Sequence, residues 1–266
     1  MANPTYKQGM FCWNELGTTD DDAAVNFYKA FLGWTVESNP MPGDMEGTYH
    51  IANVNGENVA GMYKMTGPMF EGVPSNWACY VWVQDVDAVW NRVNELGGTT
   101  QAPPMDVPGV GRVAFATDPT GASFGLFQAG DHPGAARFEG QAPQGTFCWN
   151  ECITRDVAAA KTFYTNLFGW TVNDQQMGNT SYTMFMVDDC PAAGLMEMPS
   201  DMGETPPHWL AYITVDDCDA KAREVEKLGG KLLVPPTEVP TVGRFCVVQD
   251  PTGGVVSVIK LEPKQG

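Results

Sequence analysis

The sequence predicts an α+β fold built from four βαβββ modules, and three observations carry that prediction. The first is a repeat running the length of the 266 residues. Gly9-Met-Phe-Cys-Trp-Asn-Glu15 returns as Gly145-Thr-Phe-Cys-Trp-Asn-Glu151, and Phe31-Leu-Gly-Trp34 as Leu167-Phe-Gly-Trp170. Leu96-Gly-Gly98 returns as Leu228-Gly-Gly230, and Asp118-Pro-Thr-Gly121 as Asp250-Pro-Thr-Gly253. Matches at a nearly constant offset mean two homologous halves. The second observation is a weaker period inside each half, and the third is that helical periodicity occupies one short segment per copy. The halves are expected at 1–130 and 145–266, joined by a Gly-, Pro- and Ala-rich linker at 131–144.

Each module reads in the same order. Trp13–Gly33 gives a short strand, an acidic turn, an amphipathic helix from Asp22 to Leu32 and a glycine stop. Cys79–Gly98 repeats the plan with a strand at Tyr80–Val83, the turn Asp85–Asp87 and a helix at Ala88–Leu96. Asp156–Gly169 and Asp217–Gly230 supply the third and fourth copies. The turn aspartates are expected as N-caps and the glycines as C-caps. Phe27 with Phe31, and Phe163 with Leu167, sit four apart and are expected to face the sheet. Three β-rich runs follow each helix, as at Thr35–Glu37, Tyr49–Val54 and Asn58–Lys64, so one module spans roughly 60–65 residues.

Composition narrows the function classes. With 43% hydrophobic and 11% aromatic residues the chain can bury real cores. No apolar run nears the ~18 residues of a membrane span, Ala78–Val83 being typical of the longest, and the first residues lack the parts of a signal peptide. A cytoplasmic protein without a membrane partner is expected. A net charge of -17 argues against nucleic acid and leans toward neutral or cationic small-molecule ligands. The seven cysteines, scattered and mostly within apolar runs, read as buried thiols rather than disulfides. The three histidines, His50, His132 and His208, are too few for imidazole chemistry in both halves, and His50 is expected as a solvent-tolerant strand residue.

The combination CWNE, FY, (L/F)GW, LGG, GR and DPTG, present in both halves, resembles the vicinal oxygen chelate superfamily, which contains glyoxalase I, bleomycin-resistance proteins and extradiol dioxygenases. The resemblance covers Gly9–Gln128 and Gly145–Leu261. It implies four βαβββ modules paired into two glyoxalase-like domains, each with a curved, cup-forming mixed sheet. It also implies a divalent metal in each cup, held by His, His and Glu. Registering on the helices and on DPTG puts those positions at Trp13, Ala78 and Gly125 in the first half and Trp149, Leu210 and Ser257 in the second. These side chains are not metal ligands, so no cofactor is expected, a divalent metal being what the family would otherwise supply.

Strand alternation puts Glu15 on the face of Trp13, and Glu151 on the face of Trp149. A carboxylate on an apolar cup floor is a candidate general base, or an anchor for a cationic or hydroxylated ligand. The alternative is that Glu15 and Glu151 pair with an arginine such as Arg112 or Arg244 and pin the sheet. Glu15 and Glu151 are therefore the candidate catalytic residues, with Trp13, Tyr80, Arg112, Trp149, Tyr212 and Arg244 as candidate ligand-binding ones. Trp77, Trp209 and His208 are expected mainly as packing at the strand entries. Three functions follow: a metal-free binding protein of the bleomycin-resistance kind, in detoxification or resistance; a glyoxalase-like lyase or isomerase using Glu15 or Glu151; and a non-catalytic interaction module. Extradiol dioxygenase chemistry ranks last. Two cups in one chain imitate a dimer, so a monomer or a homodimer is expected.

Overall fold

The computed structural model describes residues 6–43, 46–138, 142–177 and 180–263. The first half runs β1 (Phe11–Thr18), α1 (Asp21–Leu32), β2 (Thr35–Pro40), β3 (Thr48–Val54) and β4 (Glu57–Lys64). It continues with β5 (Asn76–Trp82), α2 (Val86–Glu95), β6 (Thr99–Val107), β7 (Gly111–Thr117) and β8 (Ser123–Ala129). The second half repeats this as β9 (Phe147–Thr154), α3 (Val157–Phe168), β10 (Thr171–Met177), β11 (Thr180–Val187) and β12 (Cys190–Glu197). Its last module is β13 (His208–Thr214), α4 (Cys218–Glu224), β14 (Lys231–Val239), β15 (Gly243–Gln249) and β16 (Val255–Leu261). The expected α+β class and the four βαβββ modules are what the chain adopts. Among the described residues no helix is long and apolar enough to cross a membrane.

The strands form two eight-stranded mixed sheets of identical topology, in the orders β2-β3-β4-β1-β5-β8-β7-β6 and β10-β11-β12-β9-β13-β16-β15-β14. Within each module the first strand pairs in parallel with the last, as β1 with β4 and β13 with β16, and the remaining pairs are antiparallel hairpins. All four helices begin on the expected aspartate. Asp20, Asp85, Asp156 and Asp217 each accept a hydrogen bond from the backbone N–H three residues on, at 2.9–3.1 Å. α1 and α3 end on Gly33 and Gly169 in the left-handed conformation, as expected.

Compactness does not follow chain order. One compact unit comprises Met1–Trp13, Ala78–Gly134 and Trp149–Leu210, the other Asn14–Trp77, Ala135–Cys148 and Ala211–Gly266. Each therefore draws one module from either half, and the repeated motifs explain how. In the second unit the Asp250 Oδ1 closes the DPTG turn by accepting from Thr252 N and Oγ1, both at 2.7 Å. Its Oδ2 accepts from the buried Tyr28 hydroxyl at 2.9 Å, which in turn accepts from Trp77 Nε1 at 2.9 Å. The first unit repeats the string. Asp118 Oδ1 closes its turn with Thr120, Asp118 bonds the Tyr164 hydroxyl, and Trp209 Nε1 donates to that hydroxyl at 2.8 Å. Trp77 and Trp209 are thus packing residues, as expected.

The GW and CWNE motifs meet in the same way. Trp170 Nε1 donates to Gly9 O at 3.0 Å and Trp34 Nε1 to Gly145 O at 2.8 Å. A Cβ on Gly9 would lie 2.5 Å from Trp170 Nε1, and one on Gly145 2.8 Å from Trp34 Nε1, so only glycine permits the approach. The cores around these bonds are aromatic. Tyr28 stacks near Trp34 with centroids 5.3 Å apart in one unit, and Phe124 meets Tyr164 edge-on at 5.7 Å in the other.

Candidate functional site

Glu15 lies in the middle of β1, opposite Gly61 on the parallel strand β4. Tyr49 on β3 donates its hydroxyl to Glu15 Oε2 at 2.5 Å. Tyr63, directly across the ladder from Tyr49, has its phenol held well above the ordinary value by burial and by the charge of Glu15. A carboxylate is thereby flanked by two phenols on one sheet face.

The second half builds the same pair with a different neighbour. Glu151 on β9 is buried and sits opposite Gly194 on β12. Tyr182 on β11 hydrogen-bonds Glu151, and its hydroxyl accepts from Trp149 Nε1 at 2.8 Å. Burial first, then the Glu151 charge, push the Tyr182 phenol far up. The run Trp149–Tyr182–Glu151 is therefore a directed chain of hydrogen bonds ending on a carboxylate. A Cβ at Gly194 would collide with the Tyr182 hydroxyl and lie 2.8 Å from Trp149 Nε1. Across the ladder from Tyr182 stands Met196, where the first half has Tyr63.

The remaining sequence candidates fall into separate settings. Trp13 is buried, with the ring of His132 edge-on at 4.8 Å. His132 Nδ1 accepts from Gly134 N at 3.1 Å, and burial holds the imidazole below its usual pKa. Tyr80 lies opposite Gly125, its ring over the glycine and edge-on to Phe115 at 5.3 Å. Tyr212 lies opposite Ser257 with Phe245 at 6.0 Å.

The two arginines are engaged by carboxylates of their own modules. Arg112 grips Asp87 through two bonds of 2.6 and 2.9 Å and reaches Asp106 at 2.9 Å. Arg244 grips Asp219 at 2.8 and 2.9 Å, with Glu238 at 3.6 Å. These forks tie β7 to α2 and β15 to α4, and they hold Asp87 and Asp219 below the usual carboxylate range. Tyr49 is among the groups that donate to Glu15.

His50 departs from the sequence expectation. It is 6% exposed rather than solvent-facing, because it is tucked against the first turn of α1. The residues that sequence reasoning missed are Tyr49, Tyr63 and Tyr182. A signal existed for two of them: Tyr49 and Tyr182 immediately precede His50 and Thr183, positions already matched between the halves.

Two copies of one module thus each hold a carboxylate opposite a glycine on a parallel strand pair. The sequence profile of the Glyoxalase/Bleomycin resistance protein/Dioxygenase superfamily matches residues 13–126 and 150–258. The chain belongs to this superfamily. Among similar proteins is "Putative glyoxylase CFP32" of Mycobacterium tuberculosis, 40% identical over 261 residues and covering 98% of each chain. "Anthracycline biosynthesis protein DnrV" of Streptomyces peucetius is 32% identical over 267 residues, covering 96% of this chain and 94% of that one. The Mn(II)-bound glyoxalase from Novosphingobium aromaticivorans superposes with a TM-score of 0.62 at 18% identity, covering 96% of this chain and 83% of its own. At that identity the likeness shows the fold.

Some superfamily members bind a divalent metal, and the residues here can be tested against one. Trp13, Ala78, Gly125, Trp149 and Leu210 carry no donor for a divalent ion, and the Ser257 hydroxyl is given to Cys246 O at 3.2 Å. Among the described residues no group of three or more His, Cys, Asp or Glu is arranged to hold a metal. The side chains at these positions do not fit the ion.

Proposed function

We propose that this superfamily member binds a small organic molecule, neutral or cationic, through its carboxylate–phenol pairs and without the metal of its relatives, in a detoxification or resistance role. The observation that carries this reading is the recurrence of the pair, Glu15 with Tyr49 and Glu151 with Tyr182, at matching positions of both halves. Each pair offers a charged acceptor beside a phenol among aromatic side chains, which suits a ligand with a cationic or hydroxyl group on a largely apolar frame. The net charge of -17 favours encounter with the cationic members of that class. The relationship to an anthracycline biosynthesis protein supports an aromatic polyketide as the first ligand class to test.

Titration calorimetry with a panel of anthracyclines and smaller cationic aromatics tests the reading. Binding is expected in the native protein and is expected to weaken at least tenfold in Glu15→Gln plus Glu151→Gln. An intact fold that binds nothing across the panel overturns it.

A second reading is favoured by the 2.5 Å bond between Tyr49 and Glu15 and by the relationship to CFP32. In it Glu15 or Glu151 removes a proton next to a carbonyl, and the adjacent phenol donates to the developing enolate. Solvent deuterium appearing at the α-carbon of a methylglyoxal adduct, and lost in the double glutamine variant, is its signature. Exchange that persists in that variant removes both glutamates from the mechanism.

A further inference from the structure

Away from the carboxylate–phenol pairs, on the face of β3 opposite Tyr49, three side chains form a connected line. Ser38 on β2 and His50 on β3 are directly opposed in the antiparallel ladder. The Ser38 Oγ lies 2.8 Å from His50 Nδ1, and His50 Nε2 lies 3.2 Å from Asp21 Oδ2. A carboxylate can only accept, so in the neutral ring Nε2 carries the proton, and Nδ1 is left to accept from the Ser38 hydroxyl. That fixes the tautomer a general base needs.

Burial is distributed as nucleophilic chemistry requires. The His50 side chain is 8% exposed and that of Asp21 19%, while Ser38 is exposed. β2 is the edge strand of its sheet, and outward N–H groups of an edge strand can donate to an oxyanion.

The second half shows that the sheet does not need this chemistry. At the same rung it opposes Asp174 to Thr183, and bonds Thr183 and Lys161 to Asp174 at 2.5 and 2.7 Å. A polar link from the helix to the edge strands is thus made there with no imidazole. At this rung, among the described residues, the first half alone sets an imidazole against an exposed hydroxyl.

We infer that Ser38, His50 and Asp21 form a nucleophilic site that accepts acyl groups from small activated carboxylic esters. Ser38 Oγ attacks the ester carbonyl carbon as its proton passes to His50 Nδ1. The bond to the leaving oxygen then breaks, the alcohol takes that proton, and the acyl group stays on Ser38 as an ester. Water then gives one proton to His50 as its oxygen attacks the acyl carbon, the bond to Ser38 Oγ breaks as Oγ takes that proton back, and the carboxylic acid released loses its remaining proton to solvent. Asp21 is a positioning residue that holds the ring and its tautomer.

The test incubates the full chain with 4-nitrophenyl acetate or a fluorophosphonate and maps the adduct by peptide mass. One acetyl or phosphonyl group on Ser38 is expected, absent in Ser38→Ala, whose exposed edge position leaves the fold intact. His50→Gln is expected to slow adduct formation about 100-fold in protein whose circular dichroism is native. Asp21→Ala is expected to slow it, and Asp21→Glu to restore part of the rate at an equal thermal midpoint. Absence of a Ser38 adduct in the native chain, or a labelling rate unchanged in folded His50→Gln, overturns the proposal. Because the calorimetric test uses Glu15 and Glu151, the two readings fail separately.

Discussion

The Tyr28 hydroxyl donates to Asp250 Oδ2 at 2.9 Å across 222 positions of sequence. This bond joins the helix of the first module to the DPTG turn of the fourth, and Tyr164 with Asp118 repeats it between the third and second. Tyr28 is wholly buried and also accepts from Trp77 Nε1. Removing the hydroxyl leaves a buried indole N–H and a buried carboxylate oxygen without it. Tyr28→Phe is therefore expected to cost about 1–3 kcal/mol in urea denaturation, as is Tyr164→Phe. A loss below about 0.5 kcal/mol in both contradicts this account.

These phenols also set a pH dependence. Burial, reinforced by neighbouring acidic groups, raises Tyr28, Tyr164 and Tyr182 well above the ordinary value of 10.0. Above that pH the unfolded chain loses protons that the folded chain keeps, so stability falls as pH rises. Below it these groups contribute no slope. Each tyrosine should steepen the decline by up to about 1.4 kcal/mol per pH unit above pH 10, and Tyr28→Phe should flatten it correspondingly. Denaturation midpoints measured between pH 8 and 11 check both statements.

Gly194 is the tightest point of the second carboxylate–phenol site. Gly194→Ala drives a methyl into the Tyr182 hydroxyl and toward Trp149 Nε1, so Tyr182 must leave Glu151 or the strands must part. A destabilisation of about 1–3 kcal/mol is expected. Any ligand held by Glu151 and Tyr182 should bind the variant at least tenfold more weakly, while Tyr182→Phe weakens it without the steric term. Unchanged calorimetric affinity in both variants places the ligand elsewhere.

The cysteines offer a simple check of the packing. Cys190 is exposed, Cys148 is partly exposed, and the other five are buried. Burial pushes the Cys148 thiol up to about 12 and also raises Cys12 and Cys152 well above the ordinary thiol value, which suppresses their thiolates. A native-state titration with an aromatic disulfide at pH 8 should consume one fast thiol per chain. Cys190→Ser should remove that fast phase.

Much of the site was legible in residue type and alternation. Glu15 and Glu151 stand out as carboxylates on apolar strands, and their tyrosine partners recur at matched positions of β3 and β11. Arg112 and Arg244 were harder to place. A guanidinium reaches several strands, and the nearest carboxylates in space, Asp87 and Asp219, serve in their own sequence as helix-start residues. A lone polar residue on a strand, such as His50, carries no sign in the sequence that a helix terminus will cover it.

Local chemistry in the sequence determined the modules themselves. The capping aspartates, the stopping glycines and the period of two or of 3.6 act over a few residues, so each copy specifies its own βαβββ unit. Which modules share a compact unit was decided only by tertiary structure. α1 and α3 bury matching Phe, Tyr and Leu faces and α2 and α4 smaller Val, Cys and Ala ones, so apolar faces do not choose between the two partners of a kind, and hydrophobic burial is non-directional. The choice rests on buried polar groups that must find a partner. Tyr28 needs Asp250, Tyr164 needs Asp118, and Trp34 and Trp170 need the carbonyls of Gly145 and Gly9. Those bonds connect residues too distant in sequence for any local pattern to register.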